Sequence, residues 1–215
     1  MGVQRIILSV LLASIFLVAS AQVKSSIDLK KGEYKVINRE VALQKDDKRD
    51  FLHLSEGMGN GLVILKFVNF SDGTIEFDAR VKDYYEKSAV GVMFHGINDS
   101  TYDAVYFCPY NFKTSDTLLR RQAVGYISMP KNNSKMLRTS TNGKYENAIN
   151  PIPAANDWFH VKIEVKAKQV KVFVNNSLQP CLEVTQLNHI GRGFTGIWTG
   201  SESGGDFARF TYTSK

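Results

Sequence analysis

Glu76 and Asp78 are a pair of side chains whose types and spacing suit chemistry in this 215-residue sequence. They lie two positions apart in Thr74-Ile75-Glu76-Phe77-Asp78-Ala79-Arg80-Val81. On a strand they share one face, with Cα atoms about 6.6 Å apart. Two carboxylates so placed can serve as acid and base, or acid and nucleophile, on a glycosidic bond. His95 is a candidate base, so Glu76, Asp78 and His95 are the catalytic set if the chain is an enzyme. The opposing reading is a solvated polar face on which Arg80 balances the two acids. No Ser or Cys stands in a motif beside His95, which leaves a hydrolase triad unsupported.

A second constellation gathers Asp103, Tyr106, Asn111, Asp116, Arg120 and Arg121, together with His95. Adjacent arginines can clamp a carboxylate with paired hydrogen bonds. They can equally pair with Asp116 and Asp103 to hold a long loop. Among the aromatics, Trp158 opens a strand and reads as structural. Trp198, in a Gly- and Ser-rich segment, is the better platform for a ligand ring, though core packing is its competing role. The candidate ligand-binding residues are therefore Arg80, Asp103, Tyr106, Asn111, Arg120, Arg121 and Trp198. There is no HExxH, no clustered His or Cys pair and no EF-hand loop, so no metal or other cofactor is expected from motifs.

The elements that must position these residues are strands. In Thr74 to Val81, apolar residues alternate with polar ones, and Phe159 to Val165 repeats the pattern. Ala167-Lys168-Gln169 then makes a tight connection into Val170 to Val174, a hairpin signature. Further strands are expected at Gly61 to Phe67, Ala89 to His95, Tyr102 to Cys108, Gln122 to Ser128, Phe194 to Thr199 and Asp206 to Thr213. Gly, Asn, Asp and Pro punctuate them. No amphipathic helix of useful length and no internal repeat is visible. The fold class is all-β, a two-sheet antiparallel jelly-roll sandwich. The stretches 109–121 and 130–157 are long for hairpin loops, and long loops in a compact domain are where specificity is sought.

The N-terminus speaks to compartment. Arg5 precedes an apolar run from Ile6 to Val18, followed by Val18-Ala19-Ser20-Ala21, the small-residue pattern of a cleaved leader. The run is too short to span a bilayer, which takes roughly 20 residues. Residues 1–21 are expected to be a signal peptide, and 22–215 a single domain in a secreted or periplasmic setting. The formal net charge of +6 falls by one when Arg5 is removed. Its Lys and Arg residues are scattered, which argues against nucleic acid as a partner. Cys108 and Cys181 have two readings, a disulfide or two buried thiols. The oligomeric state is not written in the sequence.

The segments Gly73 to Val81 and Ala89 to His95 resemble the core strands of laminin-G-like jelly rolls. Trp158-Phe159-His160-Val161-Lys162-Ile163-Glu164-Val165, with Val170 to Asn175, resembles a W-x-x-V-K-I-x-V hairpin of the same group. Gly196-Ile197-Trp198 and Gly205-Asp206-Phe207-Ala208 resemble its closing strands, and Tyr106 to Phe112 fits the same pattern. The chain thus resembles the concanavalin A-like lectin/glucanase superfamily, near the 3-keto-disaccharide hydrolase branch, over roughly Gly61 to Thr213. The resemblance implies carbohydrate as the partner. Retaining glucanases on this fold carry Glu-x-Asp-x-Glu, and Arg80 stands at the third position here, so that mechanism does not carry over. Laminin-G-like domains sometimes hold calcium, for which Asp99, Asp103 and Asp116 are the available acids. The leading functional reading is a carbohydrate-binding module. A glycoside hydrolase of the 3-keto-disaccharide type comes second, and an envelope protein-binding module third.

Overall fold

The computed structural model describes residues 24–26, 31–82, 84, 87–154 and 156–215; the expected leader lies outside the described residues. Strands come in this order: β1 (Ser25–Ser26), β2 (Tyr34–Ile37), β3 (Val41–Lys45), β4 (Asp50–Leu54) and β5 (Gly61–Leu65). After them run β6 (Gly73–Arg80), β7 (Val90–Gly96), β8 (Tyr102–Phe107), β9 (Val124–Met129) and β10 (Glu146–Asn147). The last five are β11 (Phe159–Lys166), β12 (Gln169–Val174), β13 (Leu182–Thr185), β14 (Phe194–Thr199) and β15 (Gly205–Ser214).

They form two antiparallel sheets. The first runs β13-β12-β11-β6-β15-β4-β3, with β1 also on β15; the second runs β10-β9-β8-β7-β14-β5-β2. The alternation in β6 does what its sequence dictates. Ile75, Phe77 and Ala79 are wholly buried, while Thr74, Glu76, Asp78 and Arg80 point away from the core. Strand β11 repeats this against β6, pairing Val161 with Phe77 and His160 with Asp78. Ala167 and Lys168 both have positive φ (48° and 70°), the conformation of a tight hairpin turn between β11 and β12.

The inner faces meet in one apolar core. Leu52, Phe77, Val161, Ile163, Phe207 and Phe210 come from the first sheet; Val92, Phe94, Val105, Phe107, Tyr126 and Ile197 come from the second. A separate cluster of Leu62, Ile64, Met93, Tyr102, Ala104, Tyr106, Ile127 and Trp198 lies on the second sheet's other face.

Two differences from expectation bear on how side chains are brought together. The sandwich begins well before Gly61, with β2 to β4. The two long loops also contain helices: α1 (Thr117–Arg120) and α2 (Ser134–Thr141). Asp116 caps α1 by accepting the Leu118 and Leu119 N–H groups, and Asn133 caps α2 by accepting the Met136 N–H. Only Leu137 of α2 is buried, too little apolar surface to mark a helix by periodicity. Cys108 and Cys181 are both free thiols, which settles their two readings against the disulfide. Burial pushes each thiol up to about 12.

Candidate functional site

The second sheet turns Tyr106 and Trp198 to its outer face, from β8 and β14. Their ring centroids lie 5.9 Å apart at 42°. The Trp198 indole N–H donates to the Tyr102 hydroxyl at 3.2 Å, which also accepts from Asn60 Nδ2 at 3.1 Å. Opposite Tyr106 on β9 stands Gly125, where a Cβ would come within 2.4 Å of the Tyr106 ring. A glycine is therefore what lets the ring lie across its neighbour strand. Above the two rings opens a hollow of about 320 Å³, edged by Asn60, Asn111, Gln122, Asn133 and Arg138. The rings are nearly buried, 4% and 5% exposed, so they form the floor of a recess and do not project from the surface.

A carboxylate sits beneath this rim. Glu146 on β10 accepts the Tyr106 hydroxyl at 2.7 Å. It also accepts Arg138 Nε and Nη2 at 2.9 and 2.6 Å, a two-pronged guanidinium clamp. Burial, then the charge of Glu146, holds the Tyr106 phenol well above its usual range. A phenol so placed stays protonated and donates. Arg138 comes from α2 and Glu146 from the strand that follows it, so the long loop delivers both to the rim.

The other candidates lie elsewhere. Asp103 points into the core from β8 and is fully buried. The Gln186 Nε2 lies 2.9 Å from both Asp103 Oδ2 and His95 Nδ1, and His95 Nε2 lies 3.3 Å from the Ser71 carbonyl. Burial pushes the Asp103 carboxyl up to about 6, against the ionising pull of Ser128, Tyr126 and Gln186. Burial likewise lowers His95. Both belong to an internal polar cluster between the sheets.

Glu76, Asp78 and Arg80 lie on the outer face of the first sheet, across the core from Tyr106. The expectation that Glu76, Asp78 and His95 form one catalytic set is therefore corrected: strands of different sheets carry them, His95 lies between the sheets, and the first sheet separates it from the two acids on its outer face. Arg80 grips Asp206 through Nε and Nη2 at 2.9 and 2.8 Å. His53 Nδ1 meets the other oxygen of that carboxylate at 2.7 Å, beside a hollow of about 650 Å³. Ser55 lines that hollow too, and its hydroxyl accepts the Glu40 N–H.

Arg120 donates Nε and Nη2 to the Thr114 carbonyl at 3.0 and 2.7 Å, which is the loop-holding role. Arg121 is exposed at the C-terminal end of α1, outside the residues edging the recess. The three acids considered for calcium are also apart: Asp99 accepts the Ser100 hydroxyl, Asp103 is internal and Asp116 caps α1. Among the described residues no group of three or more His, Cys, Asp or Glu side chains is arranged to hold a metal.

Of the sequence candidates, then, Tyr106, Asn111 and Trp198 converge. Asn60, Gln122, Asn133, Arg138 and Glu146 join them without a sequence signal of their own.

Comparison with known proteins places this geometry in context. A family model described as 3-keto-alpha-glucoside-1,2-lyase-like domain matches residues 30–192. No curated protein matches the chain. Among solved structures, the chain is similar to the carbohydrate-binding module CBM66 from Bacillus subtilis (TM-score 0.58, 15% identity, covering 85% of this chain and 96% of that one). It is similar to the exoplasmic/lumenal domain of VIP36 in its Ca2+/Man3GlcNAc-bound form (0.54, 10%, 86% and 84%). It is also similar to domain 4 of AbnA, an extracellular arabinanase from Geobacillus stearothermophilus, in complex with arabinotriose (0.53, 10%, 84% and 82%).

Proposed function

Given that the chain belongs to the 3-keto-alpha-glucoside-1,2-lyase-like domain family, we propose that it binds carbohydrate in the recess over Tyr106 and Trp198, outside the cytoplasm. The observation that carries this reading is the make-up of the recess. Two rings form an apolar floor of about the right breadth for one sugar face, and amides and a guanidinium ring it to meet hydroxyls. Support comes from similar solved structures, one a carbohydrate-binding module and two with bound oligosaccharide. The leader-like residues 1–21 support the location.

A lyase reading has one specific observation in its favour, the family description itself. Elimination from a 3-keto glucoside needs a base for the C2 proton, acidified by the adjacent ketone, and a proton for the departing C1 oxygen. Glu146 is the only carboxylate met at this rim among the described residues, and three donor atoms already occupy it. A carboxylate so engaged orients Tyr106 and Arg138; it is not free to take a proton from carbon. Binding is therefore the function the geometry favours.

The test is a panel of neutral oligosaccharides by calorimetry, run beside a turnover assay on a 3-keto glucoside. Trp198→Ala is expected to weaken binding about tenfold or more, the scale for losing an aromatic stacking partner. Turnover that vanishes in Tyr106→Phe or Glu146→Gln would instead establish the lyase.

A further inference from the structure

The outer face of the first sheet holds a second built feature around Asp78. That carboxylate is almost covered, its side chain 6% exposed. Its Oδ2 accepts Arg49 Nη1 at 2.5 Å and faces Arg209 Nη1 at 3.5 Å. Its Oδ1 lies 2.9 Å from His160 Nδ1. Asp78 is thus saturated. Glu76 faces the other side of His160 at 3.8 Å and is paired with Lys24 at 3.1 Å, so three cations stand against two carboxylates and one positive charge is left over even when His160 is neutral.

Beside it opens a hollow of about 360 Å³, lined by Trp158, His160, Asn175, Asn176 and the two arginines. The hollow is rich in unused donors. Arg49 lines the hollow while its Nε is enclosed and has no hydrogen-bond partner among the described residues. Arg209 has a side chain 64% exposed, and Asp78 is its ion-pair partner among them. The Asn176 amide makes no hydrogen bond among them.

The backbone is bent to aim these groups. A register shift between Ala208 and Thr211 interrupts the β15–β6 ladder, and Arg209 there has φ +53°. Asn175 and Asn176 are also left-handed, at +50° and +58°. Such bulges re-aim side chains, and non-glycine residues adopt this conformation at a cost. Trp158 is fixed in place by the guanidinium carbons of Arg49 and Arg80, each 4.6 Å from its ring centroid.

We propose that this hollow is a second saccharide site, selective for a sugar that carries an oxyanion, either a uronate carboxylate or a sulfate ester. Arg49 and Arg209 take the oxyanion, Asn176 meets a hydroxyl, and Trp158, stacked on by the two guanidinium groups, borders the hollow. The site lies on the opposite sheet from the recess over Tyr106 and does not depend on it.

The experiment is calorimetric titration of the chain with trigalacturonate, a sulfated disaccharide, inorganic sulfate and a neutral trisaccharide. The variants are Arg209→Gln and Trp198→Ala. The expected result is binding of at least one acidic saccharide that weakens as salt is raised. It should weaken about tenfold in Arg209→Gln and stay unchanged in Trp198→Ala. Which acidic saccharide binds identifies the oxyanion. Because Arg209 is exposed, its variant should keep the thermal midpoint of the parent. The proposal is overturned by any of four results: no acidic saccharide binds; Arg209→Gln binds as the parent does; Trp198→Ala abolishes acidic binding; or inorganic sulfate binds as tightly as the saccharides. Loss of neutral-sugar binding in Trp198→Ala reports on the other recess alone, so the two readings fail separately.

Discussion

Asp103 places a carboxyl where water does not reach, and its proton is the consequence. With the folded value near 6 and an unfolded value of 3.8, the folded state holds the proton more tightly. Stability from this group is therefore fully present below pH 4 and falls as pH rises towards 6. The loss is on the order of 3 kcal/mol, two pKa units at about 1.4 kcal/mol each. His95 acts with the opposite sign: burial lowers it, so the stability it contributes is lost as pH falls below its usual 6.5. The difference between parent and Asp103→Asn isolates the acid. The variant should be the more stable protein at pH 7, with the advantage disappearing by pH 4, as thermal midpoints across that range will show. An unchanged difference across the range would mean that Asp103 is already ionised in the fold. Trp198, Tyr106 and Asn111 are legible as candidates because aromatic and amide side chains announce what they can do. Glu146 and Arg138 are not, since neither stands in a motif: the pairing of β10 with β9 brings the first to Tyr106, and α2 brings the second.

At the level of elements, legibility follows exposure. Strands with one wet face, β6 and β11, show the alternation that marks them. Strand β3 carries no such mark because four of its five residues are exposed, and an edge strand with little to bury leaves no clean period. Helix α2 is hidden for the same reason, with a single buried Leu137. Its stability leans on its cap, so Asn133→Ala should cost about 1 kcal/mol. The cost should appear locally, as faster amide exchange through α2 with little change in exchange from β11 or β12. Because α2 carries Arg138 and Asn133 itself edges the recess, the same variant should also weaken sugar binding. A change in melting temperature alone would show that the rim is held by β10 and not by the helix.

Across the whole molecule, one side chain fastens three distant segments. Arg39, after β2, donates to the carbonyls of Asn38, Gly59, Gly200 and Ser203, and among the described residues no carboxylate shares its guanidinium. It thereby pins the loop before β5 to the loop before β15, and those loops carry Asn60 and Ser201 to the recess. Arg39→Ala should lower unfolding free energy by at least about 2 kcal/mol, the scale for charged hydrogen bonds lost at buried carbonyls. Urea titration measures it; a smaller loss would mean that water replaces the guanidinium. Nothing in the order of residues hints at this role, because a lone arginine in a turn looks like any solvated charge.

Strands β14 and β15 lie beyond residue 192, where the family match stops, yet each is inserted mid-sheet: β14 between β7 and β5, β15 between β6 and β4. A chain ending at residue 192 should accordingly show no cooperative melting, although it contains the whole matched segment. The same insertion sets the timetable of biosynthesis. Until the ribosome has made both of these strands, neither sheet can close, and every earlier strand waits in two unjoined halves. Closure of both sheets is thus deferred to the end of that stretch.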